Sequence, residues 1–329
     1  MQWSLWEIWN KSLDEDKQER PLIKRDHIWA TELGGSYIDR FLKMNGVAYS
    51  NKPNSRSLRK FEAGNIWESI IKFVLIRAGI LQSSQEHVSY QYPDALKVTG
   101  KLDFIAGGHP TYDLEIIERE FQWLPPFISR AALNIVNTLE EKFPEGLGSV
   151  ILEVKSCSSF MFENYERFKE PDPKHALQDF HYLKAKSMPE GHVVYVCKDD
   201  ARLLELEVQN PSDLEEIYYK DIMTMTDFIR SNTRPPLEDS IVWKDNFKKF
   251  AVNWKVEYSN YLTMLYGFKT PDSFHEVYDS KVERWNRVLT RVKNNEKMTD
   301  NNKEALDEIV KEGFDLEKIK KIITETTDV

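Results

Sequence analysis

The stretch Ser149-Val150-Ile151-Leu152-Glu153-Val154-Lys155-Ser156 sets an acid and a base two residues apart inside an apolar, β-branched run. The run reads as a short buried strand, entered through the glycine turn Pro144-Glu145-Gly146-Leu147-Gly148. Alternation sends Val150, Leu152 and Val154 to one face and Ile151, Glu153 and Lys155 to the other. A carboxylate and an ammonium on a buried strand are costly unless they serve something. A second acid, Asp103, lies on the run 97–106, where aspartate is also unfavourable. Two carboxylates on adjacent strands can hold Mg²⁺ or Mn²⁺, hard cations that prefer oxygen ligands. The backbone carbonyl of Val154 offers a further oxygen. Such an ion lowers the pKa of bound water and clamps a phosphate, while Lys155 orients the water or neutralises developing charge.

The acid-x-Lys triplet alone is weakly specific. It recurs at Glu15-Asp16-Lys17, Glu140-Glu141-Lys142, Asp172-Pro173-Lys174 and Asp279-Ser280-Lys281. Those four fall in charged helices or loops, where a solvated face is the natural reading. Glu153 differs in lying on an apolar strand with a second strand carboxylate upstream.

The elements that must position these groups follow from the patterning. Residues 1–50 look helical and mixed, with a charged run over 14–20 and an interruption at Gly34-Gly35. After the loop 51–55, Ile66, Trp67, Ile70, Ile71, Val74 and Leu75 predict a helix with one apolar stripe, near whose start lies Glu68. Strands are expected over 87–92 and 97–106, separated by Pro93-Asp94, with Asp94 a turn residue. About fifty residues separate Asp103 from Glu153, more than a hairpin needs. Segments 114–121 and 128–143 read as helices of an insertion near 108–145. After the Glu153 strand, 160–173 reads as a polar and aromatic loop leading into a helix over 174–186. On that helix His175, Gln178 and Tyr182 can share a face. Strands over 191–198 and 202–208 follow, and the chain from 212 onward reads as helical. The expected class is α/β, a central mixed sheet flanked by helices. The expected division is a domain over 1–235 and a helical C-terminal region over 236–329.

Composition narrows the function. A net charge of −9 argues against a generally sticky nucleic-acid coat but leaves room for a local basic groove, for which Arg56, Arg59 and Lys60 are candidates. Two cysteines, Cys157 and Cys197, provide neither a disulfide framework nor a four-cysteine cluster. No apolar run reaches membrane length, and the amino terminus lacks the layout of a signal peptide. A cytoplasmic protein that does not enter a membrane is the expectation. No phosphate-binding glycine loop is present, and the histidines show no zinc-ligand spacing.

Gly100-Lys101-Leu102-Asp103, Glu153-Val154-Lys155 and Gln178-Asp179-Phe180-His181-Tyr182 together resemble the PD-(D/E)xK nuclease superfamily. The nearest branch is that of RecB-type domains, CRISPR-adaptation exonucleases and phage exonucleases, whose third motif is Q-x-x-x-Y. The matched core runs from about Gly64 to Val208. The resemblance implies a restriction-endonuclease-like core and a Mg²⁺- or Mn²⁺-dependent deoxyribonuclease. Asp103 and Glu153 would ligate the metal and Lys155 would be the catalytic lysine. Gln178 and Tyr182, with His175 beside them, would contact the DNA backbone or organise the site. Gly64-Asn65-Ile66-Trp67-Glu68 stands where the RecB-like branch often has a histidine. It is similar to the Gly-x-x-x-Glu of lambda-type exonucleases, which makes Glu68 a candidate third metal carboxylate. The iron–sulfur cluster of some members is excluded by the cysteine count. An exonuclease of recombination, repair or phage DNA processing, in a bacterial or phage-infected cell, is the expectation, with DNA as partner and a recombination or annealing protein as a further one. A structure- or sequence-specific endonuclease and a non-catalytic nucleic-acid-binding module on the same fold are the alternatives.

Overall fold

The computed structural model describes residues 23–111, 127–208 and 211–324, together with Lys11, Asp113, Glu115, Ile116 and Arg119. The charged run 14–20 and most of the expected helix 114–121 lie outside the described residues. The chain divides into two units, one of residues 1–35, 40–47 and 53–234, the other of 36–39, 48–52 and 235–329.

The first unit is built on a mixed six-stranded sheet with helices against it. Strand β1 (His27–Trp29) and helix α1 (Tyr37–Met44) precede α2 (Ser55–Arg77). Asn54 caps α2, its side chain accepting from the Ser57 N–H at 2.9 Å. Strands β2 (Leu81–Tyr90), β3 (Lys97–Gly108) and β4 (Leu147–Cys157) form an antiparallel meander, with α3 (Phe127–Lys142) between the last two. The hairpin joining β2 to β3 passes through Asp94, whose φ of 57° is the left-handed conformation expected of a turn residue. Helices α4 (Ser159–Phe168) and α5 (Pro173–Lys186) then carry the chain to β5 (Gly191–Cys197), parallel to β4, and β6 (Leu203–Glu207) pairs antiparallel to β5. Strand β1 runs parallel to β3 through residues 97–99, and α6 (Pro211–Arg230) ends the unit.

Alternation along β4 is realised in the packing. Val150, Leu152 and Val154 join Phe104, Ala106, Val194 and Val196 in an apolar layer covered by Trp67, Ile71 and Leu75 of α2. Ile66, Ile70 and Val74 are exposed, so the broad stripe expected on this helix narrows to its 67/71/75 edge. The loop expected over 160–173 is largely α4. Strand β1, expected as helix, belongs to the sheet because a parallel neighbour supplies its backbone partners. Strand β2 begins six residues earlier than the pattern 87–92 indicates. The polar run Gln82 to Glu86, which conceals it, lies along a strand with only Val88 buried.

The second unit is mostly helical. Its core gathers Trp285, Val288 and Leu289 of α9 (Pro271–Lys293), Ala305 and Ile309 of α10 (Asp300–Lys311), and Ile319 and Ile323 of α11 (Leu316–Thr324). Short helices α7 (Trp254–Glu257) and α8 (Leu262–Tyr266) precede them. A two-stranded ladder of β7 (Ile241–Lys244) and β8 (Lys249–Val252), not foreseen in the pattern, adds Ile241 and Phe250 to that core. Among the described residues no helix is long and apolar enough to cross a membrane.

Candidate active site

Register brings the two strand acids together. Phe104 of β3 pairs with Leu152 of β4, which sets Asp103 beside Glu153 on neighbouring antiparallel strands. Asp103 takes the backbone N–H of Val154 on its Oδ2 at 2.8 Å. Glu153 is fully buried, and its Oε1 meets the Lys155 ammonium and the Nε2 of Gln178, the latter at 2.7 Å. Its Oε2 is buried without a hydrogen-bond partner. Glu68 reaches the group from α2. One amide nitrogen, Nε2 of Gln85, donates to Glu68 Oε1 and, at 3.4 Å, to Asp103 Oδ1.

Helix α5 covers the other side. Asp172 caps it by accepting from the Lys174 N–H at 2.9 Å, and Pro173 sits in its first turn. One turn apart, Gln178 Nε2 donates to the Tyr182 hydroxyl at 2.9 Å, and that hydroxyl donates to the Lys101 carbonyl at 3.1 Å. The relay runs from Glu153 through Gln178 and Tyr182 to the backbone of the Asp103 strand. It requires Gly100: a Cβ there would lie 2.7 Å from Tyr182 Cε1 and 2.8 Å from Ala30 Cβ. Gln178 and Tyr182 are both buried, and their side-chain bonds run to Glu153, to each other and to the β3 backbone. His175 stands apart from the acids, its Nδ1 at 3.0 Å from the Tyr195 hydroxyl.

Three neighbouring acids, Glu153 buried and Asp103 and Glu68 half-buried, are held above their ordinary values. Burial raises Glu68, and the Asp103 charge adds to it. Burial raises Asp103 against the opposing pull of Lys155 and the Val154 N–H. Burial pushes Glu153 up to about 8, opposed by Lys155 and reinforced by Asp103. Burial alone would lower the Lys155 ammonium, but Glu153 and Asp103 outweigh it and hold it above its ordinary value. Burial, then Lys155 and Lys174, pushes His175 down to about 3, which leaves it a neutral imidazole at physiological pH.

Among the described residues, no three His, Cys, Asp or Glu side chains close on a point where a metal ion could sit. Gln85 stands between Glu68 and Asp103, and Lys155 takes one oxygen of Glu153. The donor types nonetheless suit Mg²⁺ or Mn²⁺, being carboxylate oxygens from a helix and two strands. The unbonded Oε2 of Glu153 and the raised acids describe a group of carboxylates that gains from positive charge.

Three features escaped the sequence reading. Gln85 lay ahead of the strand expected at 87–92. Its signal is symmetry, since Gln85 and Asp103 are each nine residues from the hairpin turn at Asp94. Asp179, next to Gln178, is wholly buried with both carboxylate oxygens unpartnered, and burial raises it well above the usual range. Gly100 was part of the motif, but its reason, the close approach of Tyr182, is tertiary.

No family model matches the chain, and no curated protein matches it. Among solved structures, the crystal structure of SSO0001 aligns with a TM-score of 0.42 at 15% identity, over 78% of this chain and 93% of the other. The crystal structure of an alkaline exonuclease, LHK-Exo, from Laribacter hongkongensis aligns with a TM-score of 0.34 at 9% identity, over 69% and 93%.

Proposed function

We propose that the first unit is a metal-dependent deoxyribonuclease. The observation that carries this reading is the buried group itself. Asp103 and Glu153 lie on adjacent strands with Lys155 paired to Glu153, and a side-chain relay from α5 fixes the glutamate. A purely structural role is poorly served by such a group, because it concentrates acids whose charged forms burial disfavours.

Asp103, Glu153 and Glu68, with the Val154 carbonyl, would hold Mg²⁺ or Mn²⁺, which supplies activation of water and charge neutralisation at a phosphodiester. The remaining work falls to the chain. Lys155 presents a positive charge beside the scissile phosphate and balances charge that develops there. Gln178 fixes the orientation of Glu153, and Tyr182 ties Gln178 to the β3 backbone, so the two acids keep their spacing. His175, neutral and bonded to Tyr195, supports the helix start and is not a proton donor near pH 7. We read the activity as that of an exonuclease acting on DNA, in recombination, repair or phage DNA processing, with a recombination or annealing protein as a candidate partner.

End-labelled linear duplex and single-stranded DNA, incubated with Mg²⁺, Mn²⁺ or EDTA beside Glu153→Ala, tests it. Metal-dependent loss of DNA that the variant cannot produce is the expected result, and closed circular DNA separates an exonuclease from an endonuclease. A second reading, a nucleic-acid-binding module without catalysis, draws on the closed bonding of the site, where Gln85 and Lys155 satisfy carboxylates that a cation would otherwise take. Binding of DNA with no cleavage under any metal would favour it.

A further inference from the structure

Gln85 is out of keeping with its place. Strand β2 pairs with β3 through Ser84 with Phe104 and Glu86 with Leu102, which leaves Gln85 opposite Asp103 but out of the ladder. Its φ of 57° is left-handed, a conformation uncommon for a residue without the freedom of glycine. Residues held this way cluster at ligand clamps and active sites. The distortion carries a side chain to the two acids rather than away from them. A single amide nitrogen then donates to both Glu68 and Asp103, carboxylates that come from a helix and a strand. A primary amide has two different ends, a donor NH₂ and an acceptor oxygen, and a half-turn about its terminal bond exchanges them.

We propose that Gln85 is the exchangeable occupant of the cation position between Glu68 and Asp103. Without a cation its N–H groups hold the two carboxylates together. With one, the amide turns and its oxygen becomes a neutral ligand beside them. This explains why two like charges are bridged by a neutral residue where a lysine or arginine would pair them more strongly. A fixed positive charge there would exclude the ion, whereas an amide yields to it. The inference rests on the metal-dependent reading above and adds one ligand and its switch to it.

The test reads metal, not cleavage. Mn²⁺ binding is measured by loss of the free-ion paramagnetic resonance signal, and by calorimetry, for the intact chain and for Gln85→Leu, Gln85→Glu and Asp103→Asn. Gln85→Leu is expected to weaken Mn²⁺ binding by about tenfold, the lower end of the cost of losing a supporting contact at a metal site. Gln85→Glu is expected to tighten it by a similar factor of about ten, since affinity rises with the ligand charge count. The glutamate variant should also melt lower than wild type in EDTA and recover with Mn²⁺, because a third carboxylate then faces Glu68 and Asp103 unbalanced. Mn²⁺ binding that Asp103→Asn abolishes but both Gln85 variants retain unchanged would overturn this inference alone. Tighter binding by Gln85→Leu would do the same, by showing a plug rather than a ligand. No Mn²⁺ binding by the wild-type chain would overturn the metal-dependent reading and this inference together. Circular dichroism of each variant in EDTA separates loss of a ligand from loss of the fold.

Discussion

The first unit buries acids in two contrasting ways. Asp221 of α6 is clasped by Arg40, with its two oxygens taken by the two guanidinium nitrogens at 2.8 Å each. The same guanidinium donates to the Gly35 carbonyl at 3.2 Å, and the Gly34 N–H points to Asp221 at 3.4 Å. Here one buried acid meets one buried cation in bidentate geometry, and the backbone supplies a donor to the acid and an acceptor to the cation. Around Glu153 the proportions are reversed. Three acids share one bonded ammonium, two side-chain amides and the Val154 N–H, and a glutamate oxygen stays unbonded. The lesson is that a buried carboxylate is not by itself a functional signal. An acid matched by a fixed cation is a fastening, whereas acids in excess of fixed cations leave a place for a movable one.

Mutation should separate the two regions by what is lost. If the reading of the site is right, Asp103→Asn or Glu153→Gln should reduce cleavage by on the order of 10²–10³ or more, the scale of removing one electrostatic contact to a reacting group. Both should keep a cooperative unfolding transition. Asp221→Ala should do the converse: an uncompensated buried guanidinium costs about 3–5 kcal/mol of stability, read as a lower urea midpoint. Activity per folded molecule should survive. Full cleavage by Glu153→Gln would remove the contrast.

The pH dependence of the metal-free chain sharpens it. Glu153 ionises near 4.5 when unfolded and near 8 when folded, because burial disfavours its charge. Between those values folded Glu153 binds the extra proton, so its contribution to stability falls as pH rises from about 4.5 to about 8 and levels off above it. Asp103 and Glu68 are raised as well and add in the same direction. Burial lowers His175 to about 3 and His181 to about 4, which works the other way below about pH 6.5. The reading is therefore the difference between chains: from pH 5 to pH 8 the urea midpoint in EDTA should fall more, or rise less, in wild type than in Glu153→Gln. Saturating Mn²⁺ should shrink that difference by favouring the ionised acids. A Glu153→Gln chain with the pH dependence of wild type would contradict the assignment.

Much of this site could be read from the chain, because its elements follow local periodicity. The β4 alternation put Glu153 and Lys155 on one face, and the four-residue spacing put Gln178 and Tyr182 one turn apart, as found. What could not be read depends on partners distant in sequence. Strand β2 is polar over Gln82 to Glu86 because it needs β3, not a core, to form, so Gln85 was hidden. On α2, Ile66, Ile70 and Val74 look the same in sequence as Ile71 and Leu75. The sheet covers one edge of the helix and leaves the other exposed. Strand β1 is three residues long, too short for any period to register.

Asp179 gives the smallest of these effects and the finest test of the comparison. It is buried in neither manner, since no cation clasps it and its oxygens bond nothing, yet it adds its charge to the field that raises Glu153. Its carboxylate lies where β5 begins. A Cβ on Gly191 would come within 2.2 Å of Asp179 Oδ2 and 2.9 Å of its Cγ, and the enclosed acid has no room to withdraw. Gly191→Ala should therefore cost about 1–3 kcal/mol, the range for overpacking a filled interior. The cost belongs to the pair. In Asp179→Ala the same alanine at 191 should cost far less, and a double-mutant cycle on urea midpoints should report the difference as a coupling energy. Additive effects would mean that Gly191 is needed for its backbone alone. Coupling would show that the glycine makes room for a buried acid at the start of β5.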